Sequence, residues 1–184
     1  MAGREDVGEV LISEEQIAQR VREMGQAITR DYAGREILLV GVLRGGAVFL
    51  SDLMRRIECP VRVDFLRCHA YGDRTEAGDA ALLHDLRESI EGRDVLLVED
   101  IVDTGVTLKR CLESLAERGA ASVRVAALLD KPSRRKVEVK VDYVGFQVPD
   151  AWVVGYGLDF AQRYRNLPFV AVLKPEVYRR GDNG

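Results

Sequence analysis

A chain of 184 residues is long enough for one α/β domain and short of two ordinary ones. Its 47% hydrophobic and 31% charged residues are the make-up of a globular protein and exclude a disordered chain. A formal net charge of −3 gives no general attraction for a polyanion, so nucleic acid is not an expected partner and any phosphate site must be local.

Ser13-Glu14-Glu15-Gln16 is a capping box, and Ile17, Val21, Met24 and Ile28 follow at helical spacing, which predicts an amphipathic helix from 14 to about 32, closed by Gly34. Ile37-Leu38-Leu39-Val40 predicts a buried strand over 36–43. Arg44-Gly45-Gly46 then turns the chain into a helical pattern of Val48, Leu50, Leu53, Met54 and Ile57, the first half of a parallel crossover. After Pro60, residues 61–65 alternate as a strand does. From 67 to 93 the periodicity dissolves into a long polar stretch, the mark of a functional lid or a disordered loop. Four apolar residues predict a second buried strand over 95–99. A helix over 104–118 and a strand over 122–129 follow, with shorter strands over 143–146, 152–155 and 169–173. Strand and helix in this alternation predict a doubly wound, mainly parallel sheet with a small appended substructure.

The cysteines, Cys59, Cys68 and Cys111, are odd in number, far apart and in no Cys-x-x-Cys or His-Cys cluster, which predicts reduced thiols in a cytosol and no zinc site. No early apolar core has the length of a secretion signal, and no apolar run approaches the ~18 residues that a membrane span needs. Glycine motifs for dinucleotides and the P-loop are absent.

The chemistry concentrates where the strand over 95–99 ends. Glu99 and Asp100 stand at its carboxyl end, where open α/β sheets bind ligands, and serve either as charge caps or as groups for a polyol or metal. Asp103-Thr104-Gly105-Val106-Thr107 supplies hydroxyls and a glycine just before a helix, an arrangement that leaves backbone N–H groups for an anion. Asp103 itself has two readings, a cap on that helix or an acid-base group facing the ligand.

The run from Glu99 to Thr107 resembles the signature of type I phosphoribosyltransferases, acid-acid-x-x-Asp-Thr-Gly-x-Thr, and is most similar to the hypoxanthine-guanine branch. That resemblance implies the type I fold, with residues 1–184 as one domain. A small hood subdomain would come from the N- and C-terminal segments, and a mobile lid would span about 67–93. It implies purine salvage: Mg2+-dependent transfer of phosphoribose from phosphoribosyl pyrophosphate to the oxo-purines hypoxanthine or guanine, giving IMP or GMP and pyrophosphate. A cytoplasmic homodimer or homotetramer is implied too. Xanthine or pyrimidine as acceptor is the nearest alternative, and a nucleotide- or RNA-binding regulator without catalysis is another; the retained Asp103 speaks against the latter.

Residue by residue, the resemblance puts Asp103 at purine N7 and the ribose and its phosphate on Glu99, Asp100, Asp103, Thr104, Gly105, Val106 and Thr107. Magnesium would lie near Glu99, Asp100 and Asp159. Pyrophosphate would lie on Leu43, Arg44, Gly45 and Arg165, with a cis peptide at Leu43-Arg44 and with Arg44 where the family commonly has lysine. Ala70 and Tyr71 would belong to the lid, Ala70 departing from the usual serine. The purine would take Lys131 at O6, the ring of Trp152 by stacking, the backbone of Val153 and the neighbourhood of Asp159. Ser133-Arg134-Arg135-Lys136 reads as a solvated loop.

Overall fold

The computed structural model describes residues 5–67 and 86–181. Ala70, Tyr71 and most of the expected lid lie outside the described residues. In chain order the elements are β1 (Val7–Ile12), α1 (Glu14–Asp31), β2 (Ile37–Val42), α2 (Gly46–Met54), β3 (Val61–Leu66), β4 (Asp94–Val102), α3 (Val106–Glu117), β5 (Ser122–Asp130), a 3-10 turn (Pro132–Arg134), β6 (Tyr143–Gln147), β7 (Val153–Val154), β8 (Val170–Leu173) and α4 (Pro175–Gly181).

Five strands form a parallel sheet in the order β3-β2-β4-β5-β6. All of β2 and the Val95 to Val98 stretch of β4 are buried, because helices cover both faces. Successive strand side chains point to opposite faces, so each strand feeds two cores. Leu39, Leu96, Val98 and Leu128 pack with Ile17, Val21 and Ile28 of α1 and Phe49, Leu50 and Leu53 of α2. Leu38, Val40, Val95, Leu97 and Val125 pack with Leu108, Cys111 and Leu115 of α3. The doubly wound parallel sheet expected from the strand and helix pattern is therefore present.

A second sheet, β1-β8-β7, is antiparallel and joins the two ends of the described chain. Neither β1 nor α4 was expected. Gly8 and Glu9 interrupt any alternation in β1, which exists because β8 supplies its ladder, Val10 lying opposite Ala171 and Ile12 opposite Val170. Two boundaries also differ. β4 runs on to Val102, because Ile101 and Val102 pair with Leu129 and Asp130 of β5. α3 starts at Val106 instead of Thr104, because Gly105 before it has φ +83, outside the helical region.

Cys59 is a free thiol, whereas Cys111, wholly buried on α3, is disulfide-bonded. The expectation of reduced thiols does not hold at Cys111. No helix among the described residues is long and apolar enough to cross a membrane.

The capping box at α1 forms in full, Ser13 Oγ accepting from the Gln16 amide at 3.3 Å and Gln16 Oε1 accepting from the Ser13 amide at 2.8 Å. Ser13→Ala is expected to lower stability by about 1 kcal/mol in a denaturant titration, with an unchanged slope.

Candidate active site

Strand order reverses between β2 and β4: the chain leaves β2 for β3 on one side and returns to β4, β5 and β6 on the other. Loops after β2 and β4 therefore part at their carboxyl ends and leave a crevice, the usual ligand position in such sheets.

The loop after β2 lies flat against the end of β4. The Leu43-Arg44 peptide is cis, as the resemblance implied. A Cβ on Gly45 would fall 1.5 Å from Asp100 Oδ2, and one on Gly46 would fall 2.8 Å from the Val98 carbonyl oxygen. On the outer side, Gly157, at φ +98, would place a Cβ 2.5 Å from the Gly45 carbonyl oxygen. Three backbone segments thus touch where any side chain would separate them. The 155–158 turn is held from behind by buried Tyr156, whose phenol donates to Asp52 of α2 at 2.5 Å. Burial and that carboxylate push the phenol far up, so it remains a donor.

Arg44 and Arg165 converge here. Arg44 Nη1 donates to Gln162 Oε1 at 2.8 Å and Arg165 Nη2 to the same oxygen at 3.2 Å. Arg165 also donates to the Gly157 carbonyl at 2.6 Å and pairs with Asp159 at 2.6 Å. Asp159 accepts from the Gln162 amide as well, at 2.9 Å.

Glu99 and Asp100 are half-buried and bonded to each other through their side chains. Burial pushes the Glu99 carboxyl well above the usual glutamate value of 4.5, and the charge and hydrogen bond of Asp100 push it the same way. Burial raises Asp100 too, against hydrogen bonds from Glu99 and the Ile101 amide and the charge of Arg165. The pair therefore holds a proton more readily than two free carboxylates would.

Two clefts open from this edge. One, of about 250 Å³, is lined by residues of the segment from Glu99 to Leu108, including Asp103, Thr104, Gly105 and Thr107. α3 begins there with Gly105 as its N-cap and no side-chain cap, apart from a long contact of 3.4 Å from the Val106 amide to Thr104 Oγ1, which leaves N–H groups for an anion. The capping reading of Asp103 is thereby excluded. Its side chain faces the other way, towards Arg134 Nε at 3.2 Å and Lys131 Nζ at 3.9 Å.

The second cleft, of about 340 Å³, is walled by Lys131, Arg134, Trp152, Leu173 and Tyr178, with Asp103 again on its lining. Lys131 is only 6% exposed and donates to the Ala151 carbonyl at 2.7 Å. Trp152 is 56% exposed, its ring held edge-on to Phe160 at 5.9 Å and beside Tyr178 at 6.0 Å. Val153 is buried in β7.

Residues 9–161 match the family model of the phosphoribosyl transferase domain. The hypoxanthine-guanine phosphoribosyltransferase of Bacillus subtilis (strain 168) is 48% identical over 176 residues, which are 95% of this chain and 98% of that protein. This chain belongs to the phosphoribosyltransferase family, in its hypoxanthine-guanine branch. A bifunctional TilS/HprT protein of Listeria monocytogenes is also 48% identical over 94% of the chain, yet the chain spans only 27% of that protein's length. A crystal structure of a Staphylococcus aureus hypoxanthine phosphoribosyltransferase superposes with a TM-score of 0.92 at 45% identity, covering 97% of each chain.

In this phosphoribosyltransferase the sequence-derived candidates within the described residues fall into one connected edge, with one exception to the expected grouping. Glu99, Asp100 and Asp159 do not form a metal cluster: no group of three or more His, Cys, Asp or Glu among the described residues is placed to hold an ion. Asp159 is engaged by Arg165. Several residues escaped the sequence reading. Ile101 lines the smaller cleft, Arg134 and Tyr178 the larger one, and Gln162 joins the two arginines. Arg134 was hidden in a charge run, and Gln162 is brought in by an irregular turn with positive φ at Ala161 and Gln162, for which the sequence carries no signal.

A raised folded-state pKa at Glu99 means that the folded protein holds a proton that the unfolded chain has released above 4.5, so this contribution to stability is lost as pH rises through the folded value. Glu99→Gln keeps a donor for Asp100 and cannot ionise. Thermal melts of ligand-free protein are expected to coincide for the two proteins near pH 4 and to favour the variant increasingly towards about pH 8.

Proposed function

We propose that the chain is a purine-salvage enzyme that transfers phosphoribose from phosphoribosyl pyrophosphate to hypoxanthine or guanine, releasing pyrophosphate. The observation that carries this reading is Asp103, which lines both clefts. A reaction that joins a purine to ribose C1 needs its two substrates to meet at one point. The two clefts meet at this aspartate.

In this reading the free amides and hydroxyls of Thr104 to Thr107 hold the 5′-phosphate, and Glu99 and Asp100 hold the ribose hydroxyls. Arg44, Arg165 and the backbone of Leu43 and Gly45 hold the pyrophosphate. Trp152 offers its exposed ring to the purine face and the backbone of Val153 its edge, with Asp159 nearby. Lys131 donates to O6, and a 6-amino group there would face a donor with a donor, which is why adenine is excluded. The carboxylate of Asp103 lies beside the position of the cationic ribose that forms as pyrophosphate leaves, and takes the purine proton at N7.

Hard oxygen donors and few of them suit magnesium, which keeps most of its shell for water and phosphate oxygens. Glu99 and Asp100 would hold it, with Asp159 joining only by giving up part of its pairing with Arg165. When bound, the ion would neutralise charge on the departing pyrophosphate. We read Ala70 and Tyr71 as part of a lid over this site, residues 1–184 as one working domain with the small sheet as its hood, and the enzyme as a cytoplasmic homodimer or homotetramer, all on the resemblance.

Nucleotide formation from phosphoribosyl pyrophosphate, with magnesium and each of hypoxanthine, guanine, xanthine, adenine and uracil, tests the reading. Turnover of hypoxanthine or guanine is expected, and no turnover of any purine would sink it. Asp103→Asn is expected to keep substrate binding and lower kcat by about 10² or more. For Lys131→Ala the expectation is a lost preference for oxo-purines over adenine; unaltered selectivity would remove Lys131 from the base site.

A further inference from the structure

Asp103 presents two oxygens that are not equivalent. Oδ1 takes Arg134 Nε at 3.2 Å. Oδ2 has Lys131 Nζ as its neighbour, at 3.9 Å, beyond hydrogen-bond reach. Lys131 comes from the end of β5 and is already bonded to the Ala151 carbonyl. Arg134 ends the 3-10 turn that follows, and its Nη1 lies 3.6 Å from Asp150 Oδ1, so the guanidinium bridges two carboxylates across the larger cleft. Arg135 reaches the same segment from the other side but donates to the Asp103 backbone carbonyl, at 2.7 Å, leaving the carboxylate to Arg134 and Lys131. The carboxylate is thus held by one corner, and the other corner faces the cleft beside the lysine.

Purine N7 and O6 are adjacent on one edge of the base. An acceptor and a donor side by side, Asp103 Oδ2 and Lys131 Nζ, match that edge when N7 carries the proton to be removed. We infer that Arg134 is a positioning residue that holds Oδ1 of Asp103 and leaves Oδ2 as the oxygen offered to the proton at purine N7. This rests on the proposed function and deepens it: Arg134 touches no reacting atom in this account and acts through Asp103.

Arg134 is well exposed, so replacing it leaves the fold intact. Arg134→Met keeps the length and removes the charge, and Arg134→Lys returns a charge without the Nε geometry. With Arg134→Met, kcat is expected to fall roughly tenfold at an unchanged KM for phosphoribosyl pyrophosphate. Arg134→Lys should return only part of kcat. A wild-type kcat in Arg134→Met, or a loss confined to KM for the base, would overturn the inference. The double variant with Asp103→Asn separates this from the parent reading. If Arg134 acts through Asp103, adding Arg134→Met to Asp103→Asn costs nothing further, whereas additive losses mean that it acts elsewhere. Asp103→Asn at full rate would instead defeat the assignment of Asp103 itself.

Discussion

The site depends on the register in which β4 and β5 pair. Val102 lies opposite Asp130, and the next amide, that of Lys131, donates to the Val102 carbonyl at 2.9 Å. Asp103 and Lys131 therefore leave adjacent strand ends side by side. Segment 131–137 then turns back on the loop after β4: Lys136 donates to the Thr104 carbonyl at 2.9 Å and Arg135 to that of Asp103, while Arg135 is itself anchored on buried Asp130. A slip of one residue would send every β4 side chain to the opposite face, and no exchange of side chains could restore the constellation. The apolar runs of both strands, buried on two faces, are what make such a slip prohibitive.

Charge is distributed unevenly across this edge. At the switch point two acids are crowded together beneath a glycine loop that any side chain would push away, and their carboxyls are held above the usual range. Opposite stand Arg44 and Arg165, held near each other by a neutral amide. Like charges kept close in a half-buried site are an arrangement that ligand of opposite sign relieves. An anionic pyrophosphate between the arginines and a cation at the acids would each do so, which links the electrostatics of the free protein to substrates that carry both.

Much of this was legible in the chain. Ile37-Leu38-Leu39-Val40 and Val95 to Val98 announce central strands because a parallel sheet covered on both faces buries every residue. Ser13 and Gln16 announce a helix start because the capping box is local. What escaped depends on partners distant in sequence. β1 is a strand only because β8 lies beside it, and α4 brings Tyr178 to Trp152 only after the chain has closed. Gly105 delays α3 by two residues through a left-handed φ, and that delay is what frees Asp103 from capping. Arg134 looked like solvated charge because a 3-10 turn, invisible in composition, swings it back onto Asp103.

On the proposed function, one aspartate lies where a nucleotide's base and ribose meet. A crystal structure of the protein with IMP bound tests it most directly. The phosphate is expected on the amides of Thr104 to Thr107, O6 within hydrogen-bond distance of Lys131 Nζ, and N7 accepting from Asp103 Oδ2, which carries the proton taken from the base. IMP bound with its purine outside the cleft of Lys131 and Trp152, or with N7 turned away from Asp103, would contradict it.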